Sequence, residues 1–416
     1  MRKSFIRLGS IAALAMVAAA PALAQAPDQT QAQADIVARG KYIATAGDCA
    51  SCHTAPGGKP FAGGLSLETP FGTLVSANIT PDPKAGIGAW SDDDFVRAVQ
   101  TGVAPDGTRL YPAMPYPAFT HVTREDLLAL KAYLATIDPV SDAVETNRLP
   151  FPYNIRALMF VWNLLNFTPG EYQPDPAKPD PWNRGAYLVD GLGHCGTCHT
   201  PKNRLGGDKS SQALAGGALQ GWYAPPLNGD ARTGLGAWSA DDIAAYLKTG
   251  WGGGQAASGP MGQVVATSTS QLTDADLQAM AVYLKDLAAP GGSAPAPLAG
   301  TDPLMQRGQA LYVTNCAACH TETGDGQTGI FPVLAKSPVV QADNATTLID
   351  VVLNGGHAVA TDAAPTAPGM PAFGWKLSDD QIAAILSYIR NDWGNAANPV
   401  ASSDVSAVRA RPAAAN

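Results

Sequence analysis

The chain has 416 residues, 15% of them charged and 46% apolar, with 43 Gly, 34 Pro and six Cys. That length suggests roughly two to four domains. The balance of 27 basic against 35 acidic side chains, a net charge of −8, excludes the basic surface that nucleic acid requires as a partner. Past the first 26 positions there is no uncharged apolar run of about 18 residues, so that part of the chain is not expected to span a bilayer.

The chain opens as a processing signal. Arg2, Lys3 and Arg7 form a basic segment, Leu8 to Ala20 a short apolar stretch, and Ala22-Leu23-Ala24 a small-x-small cleavage site. Residues 1–24 therefore read as an export signal, with Gln25 as the mature start. A membrane anchor is the competing reading, against which the apolar stretch is shorter than a span. Cleavage removes three positive charges and moves the net charge from −8 to −11.

Exported proteins commonly use cysteine for disulfides, but here all six Cys fall in three identical motifs. These are Cys49-Ala-Ser-Cys52-His53, Cys195-Gly-Thr-Cys198-His199 and Cys316-Ala-Ala-Cys319-His320. Chance would supply about 0.001 copies of C-x-x-C-H in such a composition. Two thiols one helical turn apart can each add to a vinyl group of a haem, and the following imidazole then faces the iron as proximal ligand. A zinc ribbon fits less well, because His directly after Cys is not the usual ligand spacing and the pairs lie over a hundred residues apart. A redox dithiol has no need of the His. The sequence thus calls for three covalently bound haems c.

Each motif sits in a repeated unit. Arg39-Gly40, Arg184-Gly185 and Arg307-Gly308 precede the first Cys by 10, 11 and 9 residues, with Tyr42, Tyr187 or Tyr312 following, and each opens a predicted short helix into the attachment turn. Gly86-Ile-Gly-Ala-Trp90-Ser91 is echoed by Gly234-Leu-Gly-Ala-Trp238-Ser239. Both Ser fit N-caps of a second helix that stops at Thr101-Gly102 or Thr249-Gly250. A closing helix is predicted in all three units behind Thr123 with Asp126, Thr273 with Asp276, and Ser378 with Gln381. Its apolar stripes are Leu127, Leu130, Leu134; Leu277, Met280, Leu284, Leu287; and Ile382, Ile385, Leu386, Ile389. Three small helical domains follow, each with its core completed by haem.

For the distal side of each iron the sequence offers Met114, Met261 and Met370, which lie 65, 66 and 54 residues after the first Cys of their units. Each is read as sitting in a Pro-rich or Gly-rich loop, where proline stiffens the chain holding a flexible thioether. Core filling is the plainer reading for one such Met, and the recurrence favours ligation. His194, adjacent to Cys195, is too constrained to reach over the ring, and His121 and His357 read as surface or hydrogen-bonded loop residues. A filled sixth position blocks O₂ or peroxide and favours electron transfer over catalysis at iron.

The resulting division is residues 25–147, 181–289 and 302–395 for the three domains. Residues 148–180 form a connector, 290–301 a Pro/Gly-rich linker, and 396–416 a disordered tail. Within the connector, Leu158 to Leu165 is a short apolar helix, too short to span a bilayer. It either packs between units or lies on a membrane or partner.

The three C-x-x-C-H units, Gly63-Gly-Leu-Ser-Leu-Glu-Thr-Pro-Phe-Gly72, Asn78-Ile-Thr-Pro-Asp-Pro83, Gly86-Ile-Gly and Leu110-Tyr-Pro-Ala-Met-Pro-Tyr-Pro117 carry a resemblance over nearly the whole chain. The sequence resembles the triheme cytochrome c subunit of bacterial membrane-bound alcohol, gluconate, sorbitol and fructose dehydrogenases. The resemblance implies an all-α fold of three tandem class I-like cytochrome c domains, and an electron-transfer subunit that does not turn over substrate alone. It also implies a separate catalytic subunit bearing pyrroloquinoline quinone, flavin (FAD) or a molybdenum cofactor, and ubiquinone or a terminal oxidase as acceptor. The location would be the periplasm, at the periplasmic face of the cytoplasmic membrane, with peripheral membrane association. Two alternatives are a free periplasmic multihaem carrier and a self-contained haem enzyme such as a peroxidase or sulfur-compound oxidase.

Overall fold

The computed structural model describes Met1 and residues 29–411 apart from Pro290 and Gly292. The export-signal reading lies outside the described residues. The fold is mostly helical, with short antiparallel ribbons at its edges. Ser66–Thr69 pairs with Gly72–Val75, to which Asn147–Arg148 adds, and Gly217–Leu219 pairs with Trp222–Ala224.

Each unit is built on the crossing of an opening and a closing helix. The pairs are Gln29–Ala46 with Arg124–Leu134, Asp180–Ala186 with Asp274–Asp286, and Pro303–Asn315 with Asp379–Ile389. The Arg-Gly repeat marks the point of contact. A Cβ on Gly40, Gly185 or Gly308 would stand 1.9, 2.0 or 2.3 Å from the carbonyl oxygen of Ala129, Ala279 or Ala384. Only glycine lets two backbones approach so closely, which explains a dipeptide whose role the sequence leaves open. In the second unit the opening helix continues into a π-helical stretch, Tyr187–Leu192. That wider turn absorbs the one extra residue between Arg184 and Cys195.

The predicted caps are present. Ser91 with Asp94 and Ser239 with Asp242 form reciprocal capping boxes, and those helices, Asp92–Thr101 and Ala240–Thr249, stop at Gly102 and Gly250 with positive φ. Thr123 and Thr273 accept from the backbone N–H of Asp126 and Asp276, whereas Ser378 and Gln381 make the full box. The first two caps are only half boxes because their acids are engaged elsewhere.

That engagement joins the first two units. The Tyr187 hydroxyl donates to Asp126 Oδ2 at 2.5 Å, and Tyr42 donates to Asp276 Oδ2 at 2.6 Å, so each unit's tyrosine reaches the other's closing helix. Arg39 Nε binds Asp126 at 2.7 Å and Arg184 grips Asp276 with two bonds of 2.7 and 2.8 Å. The two units accordingly share one core, in which Ile43, Phe95 and Leu130 are continuous with Leu188, Ile243 and Met280. The third unit has its own core around Ile349, Ile382, Ile385 and Leu386. There Gln381 replaces the acid, and Tyr312, grouped in the sequence with Tyr42 and Tyr187, turns inward. It donates to Thr321 O at 2.6 Å and packs on Tyr388 and Trp393. Its offset from Arg307 is five residues instead of three, so it occupies a different helix face. The second and third units meet through Thr347 against the Tyr223 backbone and Arg232 donating to Gln341 O.

One expectation is corrected. The tail read as disordered carries a helix, Ser402–Arg409, whose Val405 and Val408 are buried in the third core. Val400 N–H bonds Ser387 Oγ at 2.9 Å and Arg409 Nε binds Asp379 at 2.7 Å. Alanine-rich composition hid two valines at i and i+3, enough to dock one turn. The apolar connector helix, Leu158–Asn166, packs its inner face between the first two units, with Asn163 accepting from Tyr116 and Trp162 donating to Leu205 O, while Leu158, Phe160, Val161, Leu164 and Leu165 are exposed.

Val405→Asp is expected to lower the stability of the third unit by at least ~3 kcal/mol, because it places a charge in that core; calorimetry should resolve an earlier transition. Burial raises the Asp276 pKa, but hydrogen bonds from Arg184 and Tyr42 outweigh it and hold the group below its ordinary value. Its stabilisation is therefore complete above the unfolded carboxylate range and is lost as pH falls through the lower folded value. Asp276→Asn should cost ~1–3 kcal/mol at neutral pH, with the gap to the parent chain closing only as pH falls below the ordinary carboxylate range.

Candidate haem sites

The C-x-x-C-H segments fold as single helical turns, Cys49–His53, Gly196–His199 behind Cys195, and Ala317–His320 behind Cys316. An i, i+3 spacing on such a turn sets both thiols on one side. All six Cys are free thiols. Burial pushes Cys49 and Cys195 up to about 12 and Cys316 up to about 11. Cys52 also rises to about 11, through burial first and then the charge of Asp48. Ser51 Oγ, inside the first motif, donates to Thr267 Oγ1 of the second unit at 3.0 Å.

Each motif histidine is held at two points. Its ring Nδ1 lies 2.7 Å from Ala77 O for His53, 2.6 Å from Pro225 O for His199 and 3.1 Å from Pro332 O for His320. A carbonyl oxygen only accepts, so Nδ1 carries the proton and Nε2 keeps its lone pair. The backbone oxygen of the same residues accepts from Gly63, Gly216 and Gly326 at 2.7, 2.8 and 3.2 Å. All three glycines have positive φ, and a Cβ on Gly63 would stand 2.5 Å from the Ala77 carbonyl carbon, part of the group that receives His53. Burial lowers the pKa of all three histidines and keeps the rings neutral. A neutral imidazole with one committed nitrogen, beside two protonated thiols on one turn, is the donor set that a covalently held haem requires. Among the described residues no three His, Cys, Asp or Glu gather as a site for a bare metal ion.

The three methionines stand in different local structures. Met114 lies in a tight turn, its N–H on Tyr111 O and its carbonyl accepting from Tyr116 N–H, half-buried against the shared core. Met261, expected in a loop, falls in the first turn of the helix Gly259–Thr267. Pro260 is compatible with that first turn, where its missing N–H costs nothing. Met370 lies in a two-residue strand, Gly369–Met370, paired with Gly356–His357, and lines a cavity of about 350 Å³ with His357, Asn354 and Pro371. His357, read from sequence as an isolated loop residue, is thereby Met370's neighbour. His194 adopts a φ of 40° and packs edge-on against Phe119 of the first unit, with Nδ1 3.2 Å from Leu192 O. His121 Nδ1 lies 3.1 Å from Gly170 O.

Sequence reading missed the three backbone acceptors, which have no side-chain signature. The nearest legible sign is Asn78, whose amide donates to Val140 O and whose oxygen accepts from Thr80, fixing the loop that starts at Ala77. Gly63→Ala should lower stability by about 2–3 kcal/mol in thermal unfolding, since it combines an unfavourable φ with contact on the Ala77 carbonyl.

A cytochrome c family model matches residues 37–138, 183–288 and 305–393, one stretch around each motif. The gluconate 2-dehydrogenase cytochrome c subunit of Pantoea cypripedii is 43% identical, over 90% of this chain and 89% of the relative. The alcohol dehydrogenase (quinone) cytochrome c subunit of Gluconobacter oxydans (strain 621H) is 40% identical over 90% of this chain and 82% of the relative. The fructose dehydrogenase cytochrome subunit of Gluconobacter japonicus is 37% identical with the same two coverages.

Proposed function

The chain belongs to the cytochrome c family, among the cytochrome subunits of dehydrogenase complexes, and on that premise we propose that it is a triheme electron-transfer subunit. In this reading Cys49 and Cys52, Cys195 and Cys198, and Cys316 and Cys319 attach one haem c each through thioether bonds. His53, His199 and His320 are the proximal ligands, and Met114, Met261 and Met370 the distal ones. Haem iron, when bound, supplies one-electron transfer. The protein's contribution is to hold each imidazole in one tautomer and one orientation through the Ala77, Pro225 and Pro332 carbonyls. That shared pinning of three histidines is the observation that carries the reading.

Partner, acceptor and place follow from the same proposal. A catalytic subunit with pyrroloquinoline quinone, flavin or a molybdenum cofactor would oxidise an alcohol, sugar or aldehyde. Electrons would then cross the coupled first two units and the third on their way to ubiquinone or a terminal oxidase, at the periplasmic face of the membrane. The names of the relatives support a dehydrogenase partner. The shared core of units one and two supports close passage between their haems.

The direct test is gentle purification from membranes, identification of the bound chains by mass spectrometry, and addition of candidate substrates. Haem reduction by substrate is expected in the complex and not in the isolated chain; peroxide or substrate turnover by the isolated chain would contradict the assignment. Met114→Ala is expected to lower one of three midpoint potentials by on the order of 0.1 V, within the ~0.8 V range that axial ligands control, while the haem stays attached. Redox titration followed in the visible spectrum reads that shift.

A further inference from the structure

The hydrogen bond that secures His320 ends on a peptide unit whose other side is held by the second unit. Pro332 O, which accepts from His320 Nδ1 at 3.1 Å, and Val333 N–H are the two polar groups of one peptide. That N–H donates to Gly254 O at 2.9 Å, at the tip of the hairpin formed by Trp251–Gly252 and Gln255–Ala256. The Val333 carbonyl is held as well: it accepts from Gln255 Nε2 at 3.0 Å, while Gln255 Oε1 accepts from Ser337 Oγ at 2.8 Å. Gly253 and Gly254, the two turn residues, both have positive φ, as the tightest hairpin turns require. A Cβ on Gly254 would stand 2.9 Å from Val333 Cγ2, so the tip is fitted to one residue of the third unit.

The other two histidines are secured differently. Pro225, the acceptor for His199, is followed by Pro226, which has no N–H to donate. Ala77, the acceptor for His53, opens a loop fixed inside its own unit by the Asn78 side chain on Val140 O and Thr80. Hydrogen bonds in a chain polarise one another. A peptide whose N–H is donating carries more negative charge on its oxygen and accepts more strongly. A stronger acceptor at Nδ1–H makes the imidazole more basic at Nε2, which favours oxidised over reduced iron and lowers the potential. At 3.1 Å the bond from His320 is longer than the 2.7 and 2.6 Å bonds from His53 and His199, which leaves its strength to the charge and placement of the acceptor.

We propose that this hairpin of the second unit tunes the third haem, with Gly254 and Gln255 as positioning residues. The relay runs from Gly254 C=O through the Pro332–Val333 peptide to His320 Nδ1–H, and Gln255 keeps Val333 in register for it. The potential of the third haem is then a property of the docked second and third units, not of the third unit by itself. The same hairpin continues through Ala257, whose carbonyl accepts from Val359 N–H of the third unit at 3.1 Å, into the helix that bears Met261. The inference rests on the assignment of His320 as a proximal ligand. A chain that holds fewer than three haems would strike that assignment, whereas three attached haems with an unmoved third potential would strike the relay and leave the assignment standing.

The test is a redox titration of the haem-loaded full chain followed in the visible spectrum, the third wave being the one that Cys316→Ala with Cys319→Ala removes. Val333→Pro gives the third unit the Pro-Pro pair of the second and deletes the relay N–H. Gln255→Met removes the donor to Val333 O at similar side-chain length. Val333→Pro is expected to favour reduction of the third haem by roughly two- to fivefold, ~20–40 mV upward at ~59 mV per decade for a one-electron couple. Gln255→Met should move the same wave in the same direction by less, with three haems attached and the other two waves in place. Should Val333→Pro lose its third haem, Gln255→Met and the parent chain decide. In the parent, the Val333 amide should exchange with deuterium at least about tenfold more slowly than an unbonded amide. A third wave that stays put or falls, a shift shared equally by all three waves, or a freely exchanging Val333 amide overturns the proposal.

Discussion

An imidazole that serves an iron has one nitrogen to offer and one to secure. In this chain the securing partner is a backbone carbonyl in each of the three units, Ala77, Pro225 or Pro332. A side-chain acceptor could titrate or rotate; a carbonyl at the start of a fixed loop does neither. The rest of each unit serves to bring that loop back over the C-x-x-C-H turn. Gly63, Gly216 and Gly326 bind the histidine carbonyl from the returning strand, and their positive φ lets the chain reverse at that point. The crossing at Gly40, Gly185 and Gly308 sets how far the opening helix stands from the closing one, and so where the attachment turn begins.

The three units are not equivalent beads. Units one and two exchange tyrosines onto each other's closing helix and merge their cores. The first attachment turn also touches the second unit, where Ser51 Oγ donates to Thr267 Oγ1. The third unit lacks both the acid and the correctly spaced tyrosine, keeps a separate core and adds the Ser402–Arg409 helix. The first two units are thus joined through a common core, whereas the third keeps its own core and meets the second largely through polar contacts, such as Arg232 with Gln341 and Gln255 with Val333 and Ser337. That asymmetry comes from a two-residue shift of one tyrosine and an Asp-to-Gln difference at one capping position.

Much of this was legible in the residues. The capped helices, the stop glycines and the three motifs are local signals, and local signals survive folding. What was not legible depends on pairs distant in sequence. The Arg-Gly dipeptide shows its meaning only when Ala129 or Ala279 is known to lie across it. Tyr42 and Asp276 are 234 residues apart. The helix in the tail is hidden because alanine-rich composition outweighs two valines. Neighbouring Gly and Pro suggest loops for Met261 and Met370, yet proline suits the first helical turn where Met261 stands, and Met370 lies in a two-residue strand.

The central claim is that three pinned histidines each hold one covalently attached haem whose iron is closed on both sides. Electron paramagnetic resonance of the oxidised chain, quantified against denatured intact mass, tests it most directly. The account predicts a mass increment of three haems per chain and low-spin signals that sum to the same number. A smaller increment, or a high-spin signal from an open iron, would contradict it.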